Sequence, residues 1–225
     1  VLISGPYAGI GSGGRAPDLY AAFAWRYWQL LRDGGRMGSV FPRSLLNELT
    51  NGKWREEVLD HGDVNVVNII NANGWVFPSV HGQYSITFID IHKTARRSQK
   101  VRLSGPFFDF ATFERERINS GELTVAMLKS ASDGAAFPQL PDVTSAEVFT
   151  QIRLSPRLDH PRGDFLVRPI SEFNATKDRP SFDAGKSTES RWPVFAGSTF
   201  NIWNPDAGEP FAWSDPIKVT KVLYE

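Results

Sequence analysis

The run Asp18-Leu19-Tyr20-Ala21-Ala22-Phe23, continuing through Leu30-Leu31-Arg32-Asp33-Gly34-Gly35 into Arg36-Met37-Gly38-Ser39-Val40-Phe41-Pro42, decides the fold class. Asp18 is a good N-cap. Leu19, Phe23, Tyr27 and Leu30 recur at helical spacing, and Gly34-Gly35 supplies the stop. Arg36 to Pro42 then reads as a short buried strand ended by proline. Downstream, Lys53 to Asp60 reads as a short amphipathic helix ending near Gly62. Val64 to Ile70 predicts a strand, Asn71 to Gly74 a turn, and Tyr84 to His92 another strand. Helix, strand, helix, strand, strand is the tail of an α/β layered sheet.

After Lys93 the texture changes. Prolines from Pro138 to Pro216 and frequent aromatics interrupt the pattern, and only Ser145–Leu154 and Phe110–Asn119 read as helical. A boundary is expected near residues 95–105. Composition is that of an ordinary soluble globular protein, with 41% hydrophobic and 22% charged residues. No stretch approaches the ~20 apolar residues that cross a bilayer. The opening Val1-to-Gly14 run lacks the basic flank and apolar core of a secretory signal. It also lacks an initiator Met, so the chain is expected to be cut from something longer. With 0 cysteines, disulfides and thiolate metal sites are excluded, which suits a cytoplasmic location. Net charge is zero, with 8 basic and 8 acidic residues up to position 95 and 17 of each beyond it. Any contact with nucleic acid must therefore be local.

The Asp18–Phe23 and Leu30–Ser44 runs together resemble the gamma-class adenine-N6 DNA methyltransferases of restriction–modification systems. Those enzymes show a D/N-L-Y helix, an LL-x-GG turn, and a strand ending in hydrophobic-Pro-x-Ser. Gly74-Trp75-Val76-Phe77-Pro78, followed by Tyr84 to Ile91, resembles the family's Val-Phe-Pro turn leading into an edge hairpin strand. Arg168-Pro169-Ile170-Ser171-Glu172 with Thr176 and Asp178, then Trp192 to Gly197, resembles the opening of the target-recognition region of the large fused enzymes.

The resemblance implies the second half of a Rossmann-like, S-adenosylmethionine-binding methyltransferase sheet over residues 1–100. A linker and the beginning of a target-recognition domain, irregular and mixed α+β, would follow over 101–225. It implies double-stranded DNA and the remainder of the methyltransferase polypeptide as partners, with no membrane role. The target adenine would be flipped out of the duplex, because its amino group is unreachable inside the stack. The aromatic of the Val-Phe-Pro turn, here Phe77, would stack on it, with Asp18, Tyr20, Pro42 and Pro78 forming the neighbourhood. The alternative for Phe77 is a core residue at a strand end.

Two family landmarks have no recognisable counterpart. Ser4-Gly5-Pro6-Tyr7 replaces the acceptor of the catalytic Asn/Asp-Pro-Pro-Tyr/Phe tetrad and reads as a surface turn. Gly9 to Gly14 imitates a nucleotide loop, but a flexible loop bordering the active site is the better reading. The chain alone is therefore not expected to methylate, and its catalytic residues are expected to lie outside it. A non-catalytic DNA-binding or assembly module of a defence system, with a methyltransferase-like shape, is the alternative function.

Lys93, Arg96, Arg97, Lys100 and Arg102 put five bases in ten positions, candidates for DNA phosphate contacts, with a solvated linker as the alternative. Arg153, Arg157, Arg162 and Arg168 have no distinguishing spacing. The four histidines show no metal-ligand spacing, and Asp90 and His92 share one strand face. Glu56, Glu57 and Asp60 read as a solvated helix face. Trp192, Trp203 and Trp213 are core anchors or, alternatively, base-stacking residues.

Overall fold

The computed structural model describes residues 18–95, 98–167, 174, 177–183, 190–197, 199 and 208–224. They divide into two compact units between Arg157 and Leu158. In the first, helix α1 (Leu19–Leu30) leads to strand β1 (Arg36–Pro42), helices α2 (Ser44–Asn47) and α3 (Gly52–His61), strand β2 (Gly62–Ile70) and strand β3 (Ser85–Lys93). Strand β4 (Lys100–Phe107), helix α4 (Phe110–Glu116), strand β5 (Gly121–Thr124) and helices α5 (Val125–Ala131) and α6 (Val143–Arg153) complete it.

The five strands form one mixed sheet in the order β1-β3-β2-β4-β5. Strand β3 is antiparallel to both β1 and β2, β4 is parallel to β2, and β5 is antiparallel to β4. Strands β1, β2 and β4 thus point the same way, and their carboxyl ends share one edge of the sheet. The α/β class expected from the sequence is the one adopted, and the arrangement is compatible with part of a Rossmann-like sheet.

Alternation explains where the core lies. Val64, Val66, Ile89, Ile91, Val101 and Leu103 point to one face and are buried beneath Trp54, Val58 and Leu59 of α3 and Ala24 and Trp28 of α1. Arg36, Asp63, Asn65, Asp90, His92, Lys100, Arg102 and Glu122 line a shallow cavity of about 280 Å³ across all five strands. Asp90 and His92 do share one face.

Arg55 is fully buried in α3. It donates to the carbonyls of Gly134 (2.8 Å), Leu45 (2.9 Å) and Glu48 (2.9 Å), and burial pushes its pKa down to about 10. Gly52 and Gly134 meet there: a Cβ built on either would lie 2.9 Å from the other's Cα.

Several expectations change. Strand β1 is an edge strand with only Phe41 buried, because among the described residues it pairs with β3 alone. Helix α1 ends before the glycines. Gly34, at φ +74°, donates to the Lys93 carbonyl while the Lys93 N–H donates to Gly35, so the turn is tied to the sheet. The boundary expected near 95–105 falls inside the sheet, since β4 pairs with β2 and the segment to Arg157 belongs to the first unit. Glu57 accepts from the Trp28 indole (3.3 Å), and Asp60 pairs with Lys129 (2.6 Å), so the acidic face of α3 is tied to its neighbours. Arg153, the last residue of α6, donates to the Ser130 carbonyl in α5, and Arg157, just beyond α6, pairs with Asp133, just beyond α5.

The second unit contains strands β6 (Phe182–Asp183), β7 (Trp192–Val194) and β8 (Ala212–Ser214), in the order β6-β8-β7, and helix α7 (Pro216–Tyr224). Trp192 is exposed and Trp213 half-buried; Trp203, Arg168–Glu172 and Thr176 lie outside the described residues.

Candidate binding cleft at the strand ends

In sheets of this kind ligands bind outside the carboxyl ends of parallel strands. An open cleft of about 400 Å³ lies there, lined by Pro42 at the end of β1, Ile70 at the end of β2, Tyr84 and Ser85 entering β3, and Arg43, Ser44, Asn47, Glu48 and Gln139. That volume is within the range of about 300–1,000 Å³ for small-molecule pockets. Arg43 donates to the Phe137 carbonyl at 3.0 Å, and burial lowers its pKa.

Tyr20 joins α1 to this cleft. Its hydroxyl donates to Glu48 (3.4 Å) and accepts from buried Asn51 (3.3 Å), whose amide also donates to the Ser44 carbonyl (3.1 Å). Asp18, two residues earlier, is exposed. Its carboxylate makes no capping bond, and only its carbonyl accepts, from the Ala21 N–H. The N-cap role expected of that side chain is therefore not observed.

The segment between β2 and β3 carries Phe77 and Pro78, both exposed; Phe77 shows 37% of its surface. Trp75 anchors the segment, donating from its indole to the Ile70 carbonyl (2.9 Å) and lying 6.4 Å from the Phe113 ring. Asn71, fully buried, bonds the backbone of Val76, Phe77 and Val80. In the sequence Asn71 reads only as a turn residue and Tyr84 only as a strand start. The signal for Asn71 was its polar side chain directly after the apolar run that ends β2.

The basic cluster sits elsewhere. Lys93 closes the nine-residue strand β3, so it lies roughly 25 Å from the cleft end of the strand, and Lys100 and Arg102 lie in the first half of β4, also away from that end. Its ammonium donates to the Leu31 carbonyl (3.0 Å) and lies 4.6 Å over the Trp28 ring. Lys100 and Arg102 pair with Glu122 at 2.9 and 3.0 Å, holding its carboxyl below the usual range. These are exposed pairs, individually weak. Arg96 and Arg97 lie outside the described residues. Lys93, Lys100 and Arg102 thus do not share the strand-end surface of Phe77.

Among the described residues, no glycine-rich loop of the kind that cradles a nucleotide joins a strand to a helix. Where β1 and β4 run into helices, the connecting residues are Arg43 and Phe108-Asp109, bulky side chains where a nucleotide loop requires glycine. Gly9 to Gly14 and Ser4 to Tyr7 lie outside the described residues. Among the described residues no group of His, Asp or Glu forms a metal cluster, and no helix is long and apolar enough to cross a membrane.

No protein-family model matches the chain, and no curated protein matches it as a relative. Among solved structures, the chain is similar, at 13% identity and a TM-score of 0.42, to a chain from work on complex assembly and conformational transition of the type I restriction–modification system. The likeness covers 62% of this chain and 38% of that one, so the chain spans well under two thirds of its length.

Proposed function

We propose that this chain is part of a site-specific DNA adenine-N6 methyltransferase of a restriction–modification system, and that Phe77 stacks on the adenine once it is flipped from the duplex. The observation that carries the reading is Phe77 itself: an aromatic ring held open to solvent on a pinned loop, at the carboxyl ends of parallel strands. A flat ring offers a sequence-tolerant platform for a base that has lost its neighbours. S-adenosylmethionine and the acceptor for the adenine amino group are contributed by polypeptide outside these residues. Lys100 and Arg102 remain candidates for DNA phosphate, on a surface distant from Phe77; Arg96 and Arg97 stay candidates from the sequence alone.

Two features support a missing partner polypeptide. Strand β1 has one unpaired edge among the described residues. Beside it, Leu19 (72% exposed), Phe23 (51%), Tyr27 (42%) and Leu30 (65%) run down α1. Open strand edges and contiguous apolar patches are normally covered. A strand added to β1 with a helix against α1 covers both. The same surface also favours a second reading, an assembly module without chemistry of its own.

The test compares this chain with an N-terminally extended polypeptide, by S-adenosylmethionine titration and by transfer of labelled methyl to adenine-containing duplex DNA. The expected result is binding and transfer by the extended form and neither by the chain alone. An extended form that assembles and binds DNA but takes up no S-adenosylmethionine contradicts the methyltransferase and favours the assembly module.

A further inference from the structure

Asn71 is the first residue after β2, and none of its surface reaches solvent. Its amide nitrogen donates to the carbonyls of Phe77 (2.9 Å) and Val80 (3.0 Å). Its amide oxygen accepts from the N–H groups of Val76 (3.2 Å) and Phe77 (3.0 Å). A carboxamide has two N–H donors and two acceptor sites, and all four are engaged here, on one loop. The backbone N–H of Asn71 adds a fifth tie, to the Tyr84 carbonyl (3.0 Å), where the loop re-enters the sheet.

Phe77 is held through both its N–H and its carbonyl by one side chain, yet its ring stays at the surface. A loop needed only to connect two strands has no use for a buried amide that fixes the backbone of one exposed aromatic residue. Fixing it beforehand lowers the ordering cost when the ring meets a planar ligand. Only a carboxamide fits: a carboxylate in the same place accepts from two N–H groups but faces two carbonyls with no proton to offer.

We propose that Asn71 is the positioning residue of the base-binding loop, setting the Phe77 ring in its stacking orientation before nucleic acid arrives. This rests on the reading of Phe77 as the stacking residue. The ligand class is an unstacked nucleobase, and the probe is a single-stranded oligonucleotide carrying 2-aminopurine, whose fluorescence falls on stacking.

The full chain is compared with Phe77→Ala, Asn71→Asp and Asn71→Ser. Two measurements are made: amide hydrogen exchange, and fluorescence at saturating protein. In the folded Asn71 variants the Val76 and Phe77 amides are expected to exchange about tenfold faster or more, while Val66 and Ile89 in the sheet keep their protection. Binding is expected to weaken about tenfold, with less quenching per bound oligonucleotide even at saturation. Loss of global stability alone does not alter that last quantity. Should Asn71→Asp fail to fold, because it buries a carboxylate against two carbonyls, Asn71→Ser, which removes the bonds without burying a charge, carries the test. Unchanged exchange at Val76 and Phe77 overturns the inference. So does an Asn71 variant that binds and quenches like wild type while Phe77→Ala is weakened, and the stacking reading then survives. If Phe77→Ala behaves as wild type, or wild type does not bind, the stacking reading falls and takes this inference with it.

Discussion

Helices α1 and α3 pack on the same face of the sheet and treat their apolar residues in opposite ways. In α3 the large residues Trp54, Val58 and Leu59 are all buried against the strands. In α1 the buried residues are Ala21, Ala24 and Trp28, and the larger apolar stripe faces outward. The difference follows position. Helix α3 lies over the middle of the sheet, against β2 and β3, whereas α1 lies over β1, one of the two edge strands among the described residues. One helix buries its large apolar residues against the sheet, and the other leaves most of them exposed.

The comparison is broken most severely through α3. Trp54→Ala removes a side chain that is 2% exposed, and the cavity is expected to cost about 3–5 kcal/mol in urea unfolding. A cost below about 1 kcal/mol would mean that α3 is not the centre of the core. The helix starts sharpen the contrast at smaller scale. Asp142 caps α6 by accepting from the Ser145 N–H at 2.7 Å, a bond that holds its carboxyl below the usual range, while Asp18 makes no such bond. Asp142→Ala is therefore expected to lower the melting temperature and Asp18→Ala to leave it unchanged. Because the folded carboxyl is the more acidic, the unfolded chain takes up the proton first as pH falls. The Asp142 contribution is complete at neutral pH, starts to fade in the ordinary carboxylate range and is lost only as pH falls below it, through the lowered folded pKa, so the two variants should converge in acid. The smallest effect on the chain alone belongs to the α1 stripe. Phe23→Ser with Leu30→Ser is expected to change stability by less than about 0.5 kcal/mol per site. In an N-terminally extended polypeptide the same pair should destabilise clearly, and equal effects in both forms would remove the argument for a partner on that face.

How much of this was legible beforehand follows the same division. The elements up to Lys93 carry strong periodicity, and their strands and helices fall within a few residues of the expected places. Beyond Lys93, β4 was passed over because Val101 and Leu103 alternate with Lys100 and Arg102, which reads as a basic cluster rather than as a strand with one wet face. The apolar spacing of α1 was visible, but spacing cannot say which neighbour covers a stripe. Phe77 could be singled out by resemblance, whereas its support from Asn71 comes from bonds spanning six to nine residues of irregular loop, which leave no periodic trace. The basic cluster is adjacent to the Phe77 hairpin in sequence but at the other end of β3, because a strand carries consecutive residues away from its turn.

The most direct test of the central claim is the methylation rate of Phe77→Ala in the N-terminally extended polypeptide, measured beside its S-adenosylmethionine affinity. Loss of one stacking contact is expected to lower kcat/KM roughly tenfold to a hundredfold while cofactor affinity stays the same. A variant that methylates DNA as fast as the unaltered polypeptide contradicts the account.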